Sequence, residues 1–91
     1  MDNYARQQLK AQAHALKPVV LTGQAGISSA VLAEIDGALE HHELIKVRIN
    51  AADRDARRAA AIHICDALNA QLVQQVGHVA TIYRTGPRHL T

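Results

Sequence analysis

Two glycines, Gly23 and Gly26, lie three positions apart in the stretch VVLTGQAGISS, between an apolar segment and a pair of serines. Glycine permits positive φ angles and has no Cβ atom, so another molecule can approach the backbone closely. A helix that begins after this loop leaves its first amide hydrogens without intrahelical partners, and its dipole is positive at that end. We therefore predict that a phosphate can bind the backbone N–H groups of Gly26, Ile27 and Ser28.

The spacing of the glycines distinguishes this loop from the common nucleotide-binding loops. No lysine follows the second glycine, and the third glycine of a dinucleotide-binding fingerprint is missing. A G-x-x-G segment between a strand and a helix is typical of KH modules, which clamp the backbone of single-stranded nucleic acid. Taken alone, the four residues are also explained by a tight turn, and Ser28 or Ser29 by helix capping.

Basic residues form a second candidate feature, since ten Lys and Arg against eight Asp and Glu give a net charge of +2. At about 100° per residue, the spacing of the basic residues in the first predicted helix places them on one arc. Grouped by predicted element, the cations are Arg6, Lys10, His14 and Lys17; Lys46 and Arg48; Arg54 and Arg58; and Arg84 and Arg88. Each group alone is explained by a solvated surface with helix ion pairs such as Asp53–Arg57. Together with the glycine loop they favour a phosphate-rich partner, because each phosphate contact adds affinity and salt dependence.

Hydrophobic periodicity predicts the scaffold that positions these residues. The predicted helices and strands are, in order, 3–16, 19–22, 27–42, 44–49, 53–68, 71–76 and 79–83. The order α-β-α-β-α-β-β indicates an α/β fold, a two-layer domain with a four-stranded mixed sheet. A chain of 91 residues forms a single domain over 1–91, with a core at about 3–84 and a flexible tail at 85–91.

Several expectations concern individual positions. Asp53 is a candidate N-cap, Asn69 a candidate left-handed C-cap, and Gly77-His78 a two-residue hairpin turn. The strand at 19–22 is expected to be buried. The inward-facing residues of the third helix are predicted to be Ala56, Ala60, Ile64, Ala67 and Leu68.

Composition argues against several classes of function. The two tyrosines are the only aromatic residues of the Phe, Tyr and Trp class, which disfavours a base-stacking surface. A single cysteine rules out an internal disulfide and a cysteine zinc cluster. His63 is expected at a buried edge and Cys65 as a small apolar group, and we find no catalytic constellation. We therefore expect no enzyme activity, cofactor, metal or small-molecule substrate.

The chain has no stretch of about 20 apolar residues and no apolar core of a secretion signal near its first residue. The expected location is the cytoplasm, without a membrane partner.

From about Leu9 to Arg84, the chain resembles the bacterial YhbY family, the stand-alone form of the CRM domain. The resemblance rests on the segments LKAQAHALKPVVLTGQAGIS, VLAEIDGALEHHELIKVRI, DRDARR and VGHVATIYR. It implies a KH-like RNA-binding domain, with a sheet similar to that of the C-terminal domain of translation initiation factor three. It also implies a role in ribosome biogenesis, with ribosomal RNA of large-subunit precursors as the partner and ribosomal proteins as additional contacts.

Carried over by position, the resemblance assigns the RNA-contacting loop to Gly23, Gln24, Ala25 and Gly26. It assigns the basic surface to Lys46, Arg48 and the cations of the first helix, among them Lys10 and Lys17. Gln24 and Ala25 depart from the family in lacking the positive charge often found in RNA-binding loops, and the ending PRHLT is a short tail with little basic character. Both departures suggest modest affinity for RNA by this domain alone.

The alternative prediction is a protein-interaction module without direct RNA contact. In that case Leu44 or the sheet edges would meet another protein, and the cations would only increase solubility.

Overall fold

A computed structural model describes residues 2–22 and 27–85. Loop residues 23–26 and the tail from residue 86, which includes Arg88, lie outside the described residues. The helices and strands are α1 (Asn3–Ala13), β1 (Pro18–Leu21), α2 (Ser29–His42), β2 (Leu44–Arg48), α3 (Arg54–Leu68), β3 (Gln71–Val76) and β4 (Val79–Tyr83). The predicted order of elements is confirmed.

The four strands form one mixed sheet in the order β1-β2-β4-β3. β1 runs parallel to β2, whereas β4 is antiparallel to both β2 and β3. The carboxyl ends of β1 and β2 therefore lie at the same end of the sheet as the β3–β4 turn, and we call this the loop end. Both α2 and α3 begin there, since each follows one of the two parallel strands.

The main core lies between the sheet and helices α2 and α3. It contains Val20, Ile35, Leu39, Ile45, Val47, Ile49, Ala61, Ile64, Cys65, Ala80 and Ile82. A smaller cluster of Ala13, Leu44 and Val73, with Leu9 and Tyr83 packed against it, lies beneath α1. Successive side chains of a strand point to opposite faces, so Leu44 and Ile45 belong to different clusters. The sheet and the α2–α3 layer thus make two layers, and α1 adds a smaller third layer on what we call the α1 face.

The burial of Leu44 corrects one expectation about protein partners. Only 8% of Leu44 is exposed, because α1 covers it. This side chain cannot meet another protein while α1 is docked.

The expectation that the first strand is buried holds for only one of its two faces. Val20 enters the core, but Val19 is 53% exposed and Leu21 67% exposed. β1 is an edge strand that pairs only with β2 in the described sheet. An apolar run predicts a strand but does not show whether the strand lies at the centre or the edge of the sheet.

The predicted inward face of α3 is only partly correct. Ala61, Ile64 and Cys65 are buried, whereas Ala56, Ala67 and His63 are exposed. The helix is therefore rotated from the predicted stripe, because a run of alanines gives little contrast between its faces. The expected burial of Cys65 is confirmed, and that of His63 is wrong.

The predicted cap residues are confirmed. Asp53 accepts a hydrogen bond from the Ala56 amide at 3.0 Å through Oδ2. Asn69 adopts the left-handed conformation with φ 58° and ψ 42°. Gly77 has φ 57°, which a residue with a Cβ atom adopts only with strain in this turn. α1, however, ends at Ala13 rather than Leu16.

Candidate nucleic-acid interface

The described residues on both sides of the glycine loop are firmly anchored. Thr22 is buried, and its amide donates to the Arg48 carbonyl at 2.9 Å. Its hydroxyl accepts a hydrogen bond from the Asn50 amide at 3.0 Å. On the other side, Ile27 packs against the main core. The residues on both sides of the loop are therefore held by contacts with the sheet and the core at the loop end.

Ser28 is the N-cap of α2, and its hydroxyl accepts a hydrogen bond from the Val31 amide at 3.1 Å. The capping alternative considered for this serine is therefore the observed one. Ile27 and Ser28 precede the helix, so the first-turn amides not used by the cap belong to Ser29 and Ala30. The first turn of α2 has no acidic residue, which leaves the positive end of the helix dipole uncompensated there.

Two transverse rows of side chains cross the α1 face toward the loop end. The strand register places Leu21, Arg48, Val79 and Val76 in the first row and Pro18, Lys46, Thr81 and Gln74 in the second. The first row lies beyond the cluster covered by α1, and Leu21 and Val76 are 67% and 66% exposed. Arg48 lies between these two residues and is exposed. Its carbonyl accepts the hydrogen bond from the Thr22 amide.

The predicted cations are not all brought together. His14 and Lys46 line a groove of about 320 Å³ with Gln74 and Thr81. The Lys46 ammonium donates to the Leu16 carbonyl at 3.1 Å, so part of its hydrogen-bonding capacity is used within the fold.

The two remaining lysines occupy different positions. Lys10 is half-buried and lies on the same arc of α1 as Arg6 and His14. Lys17 lines a separate apolar groove with Val19 and His42.

Two other cations have structural roles. Arg6 donates from Nη1 to the carbonyls of Leu72 and Val73, both at 2.8 Å, and so attaches α1 to β3. Arg84 is 5% exposed and binds the Asp36 carboxylate at 2.7 Å and the Glu40 carboxylate at 3.3 Å. It also donates to the carbonyls of Leu68 and Asp36. These two guanidinium groups hold the fold together instead of facing a partner.

Sequence reasoning missed the part played by Arg57, which it paired with Asp53. The Arg57 guanidinium donates to the carbonyls of Ala51 at 2.9 Å, Ala52 at 2.8 Å and Gly77 at 3.1 Å. It thereby connects the β2–α3 loop to the β3–β4 turn. An arginine one turn into a helix did not by itself indicate carbonyl partners 20 residues away.

The described side chains offer little for catalysis or metal binding. Within residues 2–22 and 27–85, no group of three or more His, Cys, Asp or Glu residues comes together to hold a metal ion. Burial raises the pKa of the Cys65 thiol to about 11, and the negative charge of Asp66 adds to the effect. Cys65 is therefore a neutral thiol at pH 7 and a poor nucleophile.

The described residues form a small α/β domain in which two helix N-termini and exposed cations share one end of a mixed sheet. Comparison with known proteins gives the family. The CRS1 / YhbY (CRM) domain model matches residues 1–84. The chain belongs to this family.

Relatives from two bacteria match over most of their length. A probable RNA-binding protein of Pseudomonas aeruginosa is 42% identical over 83 residues, covering 91% of this chain and 80% of the relative. An RNA-binding protein of Haemophilus influenzae is 46% identical over 79 residues, covering 87% and 80%. The solution structure of a Staphylococcus aureus protein, described as a candidate RNA-binding protein, matches with a TM-score of 0.86. It is 29% identical and covers 98% of this chain and 93% of that one.

The described helices include none that is both long enough and apolar enough to span a membrane.

Proposed function

We propose that this protein binds RNA through loop residues 23–26, the N-terminus of α2 and the cations beside them. The backbone amides and the helix dipole hold a phosphodiester, and Arg48 and Lys46 bind further phosphates along the α1 face. The RNA is ribosomal RNA of a large-subunit precursor, and the binding takes place in the cytoplasm during ribosome assembly. Ribosomal proteins on the particle supply additional contacts.

One observation carries this proposal. The anchors of the loop, the start of α2 and the exposed Arg48 all lie at the loop end of the sheet, and the Thr22 amide donates to the Arg48 carbonyl. A phosphate bound by the loop would therefore leave the next nucleotides close to a guanidinium group. The names of the relatives from Pseudomonas aeruginosa and Haemophilus influenzae support RNA as the partner.

A protein-interaction module is the second candidate function, and the exposed apolar residues of edge strand β1 favour it. Val19 and Leu21 are both more than half exposed, and an uncovered edge strand can pair with a strand of another protein.

Salt dependence separates the two functions. RNA binding should weaken steeply between about 50 and 200 mM salt, because each neutralised phosphate of a single strand contributes about 0.7 to the logarithmic slope. A contact through Val19 and Leu21 should change little over this range. Sedimentation of a cell extract at both salt concentrations then tests the ribosomal partner, since the proposal requires salt-sensitive migration with immature large subunits.

Substitution Gly26→Asp tests the loop itself. It places a carboxylate and a Cβ atom where the phosphate is proposed to bind, so RNA affinity should fall by roughly tenfold or more while the fold is retained. Gly37→Asp is the matched control, because a Cβ atom at this exposed position of α2 meets nothing within 4 Å. Equal RNA binding by folded Gly26→Asp and Gly37→Asp proteins would contradict the proposed site.

A further inference from the structure

Three arginines lie on one face of α3 at its N-terminal end. Arg54, Arg57 and Arg58 are spaced i, i+3 and i+4, which places them side by side on a helix. Together with Asp55, Gln75 and Gly77 they line a cleft of about 310 Å³ between α3 and the β3–β4 turn. The cleft contains three cations against one carboxylate.

The arginines of this cleft differ in their hydrogen bonds and in their exposure to solvent. Arg57 is held by the carbonyls of Ala51, Ala52 and Gly77, so it fixes the distance between the two walls. Its partners are carbonyl oxygens rather than carboxylates, so its positive charge is not cancelled by an anion. Arg54 and Arg58 are exposed.

Gln75 is a polar residue in the lining of the cleft. Gln75 contributes an Oε1 atom that is buried and has no hydrogen-bond partner among the described residues. This oxygen only accepts hydrogen bonds and does not attract an anion, so it is the three arginines that make the cleft suit a phosphate better than an apolar ligand.

The cleft and the glycine loop lie at the same end of the sheet, next to its two opposite edges. Loop residues 23–26 follow edge strand β1, and the cleft lies beside the turn that begins from the opposite edge strand, β3. Three strand spacings of about 4.8 Å separate these edges, or about 14 Å in total. The Ile49 amide also donates to the His78 carbonyl at 2.7 Å, so the intervening loop and turn are joined. A single nucleic-acid strand can cross this distance within a few nucleotides.

We propose that the Arg54–Arg58 cleft is a second phosphodiester-binding site for the same RNA strand. The inference rests on the proposed function and adds to it a path for the RNA. The strand leaves the glycine loop, crosses the loop end of the sheet and reaches the start of α3. Arg54 and Arg58 bind phosphate oxygens there, and Arg57 positions them without contacting RNA.

The double substitution Arg54→Gln and Arg58→Gln tests the cleft with a single-stranded RNA of mixed sequence. Affinity should fall by roughly tenfold at physiological salt, and the logarithmic salt slope should fall by about 1.4, or about 0.7 for each lost phosphate contact. Arg54→Lys with Arg58→Lys keeps both charges and should recover most of the salt slope. An unchanged slope in the glutamine variant would overturn the cleft as an RNA site.

A second pair of variants separates the cleft from the net charge of the protein. Asp55→Asn and Asp66→Asn each remove one negative charge from exposed positions of α3, about 16 Å apart along the helix. Asp55→Asn should strengthen RNA binding by about twofold to threefold, because its carboxylate lines the cleft, and Asp66→Asn should leave it unchanged. Equal effects of the two variants would overturn the proposal.

The two proposals fail in different ways. If Gly26→Asp weakens RNA binding but the Arg54 and Arg58 variants do not, the cleft is wrong and the glycine loop stands. If the wild-type protein binds no RNA at low salt, the proposed function and the cleft are both wrong.

Discussion

The hydroxyl of Thr22 accepts a hydrogen bond from the backbone amide of Asn50 at 3.0 Å. These two residues lie at the carboxyl ends of the parallel strands, where the glycine loop and the β2–α3 loop begin. Thr22 is 5% exposed, so the acceptor side of this contact is buried. The bond ties the loop that is proposed to contact RNA to the strand that carries Arg48.

Replacement of Thr22 by valine should therefore affect both stability and binding. Valine keeps the shape of threonine but leaves the Asn50 amide without its acceptor, which should lower the free energy of unfolding by about 1–2 kcal/mol. RNA affinity should also fall, because the base of the loop loses a fixed contact. Urea denaturation and RNA titration measure the two effects. Thr22→Ser retains the hydroxyl and should restore most of the binding; if both variants bind RNA like the wild type, the anchor does not matter for binding.

The cations assigned to the RNA surface should contribute unequally. Arg48→Gln should weaken RNA binding most, because this side chain is exposed beside the loop. Lys46→Gln should have a smaller effect, since its ammonium already donates to the Leu16 carbonyl. Lys17→Gln should have the smallest effect, because Lys17 lines the groove with Val19 and His42. RNA titrations over a range of salt concentrations give the order, and equal losses for all three would indicate only nonspecific attraction.

Arg84 should matter for stability and not for RNA. Its guanidinium joins α2 to the end of α3 through Asp36, Glu40 and the Leu68 carbonyl. Arg84→Met should lower the free energy of unfolding by roughly 2–3 kcal/mol. This loss is smaller than the usual cost of breaking a fully buried ion pair, because both carboxylates are partly exposed. Thermal denaturation measures the loss. If the Arg84→Met protein remains folded but loses as much RNA affinity as a variant of an exposed cation, Arg84 belongs to the interface instead.

The Cys65 thiol should make stability depend on pH in alkaline solution. Its pKa in the folded protein is about 11 against an ordinary value of 9.0, raised first by burial and then by Asp66. The neutral thiol is favoured in the fold, so this contribution to stability is complete below pH 9 and is lost as the pH rises through 11. Between pH 9 and 11 the wild type should lose stability faster than Cys65→Ala, a comparison that cancels the titration of other groups. Parallel curves would contradict the raised pKa, and so would rapid modification of Cys65 by a thiol reagent at pH 8 in the folded protein.

Much of the architecture could be predicted because it is encoded locally. The alternation of Ile45, Lys46 and Val47 identified β2, and the side chains of Asp53 and Asn69 marked the ends of α3 through hydrogen bonding and backbone preference. The G-x-x-G segment and the matching motifs indicated the family, which the domain match confirms. The RNA-binding residues themselves remain predictions.

Contacts between distant segments could not be predicted in this way. Residues Arg6, Arg57 and Arg84 are chemically equivalent to Arg48 in the sequence, yet the first three bind carbonyls or carboxylates of the fold. The edge position of β1 likewise depends on strand order, which the apolar run at 18–21 does not encode.

The number, type and order of the elements and the family could be read from the residues alone, because periodicity, capping and motifs act over a few neighbouring residues. The position of α1 on the face opposite α2 and α3, and the set of cations that remain exposed, follow from packing between distant segments. A guanidinium donates to whichever acceptors the packed chain brings within about 3 Å, and those acceptors here come from residues as many as 67 positions away.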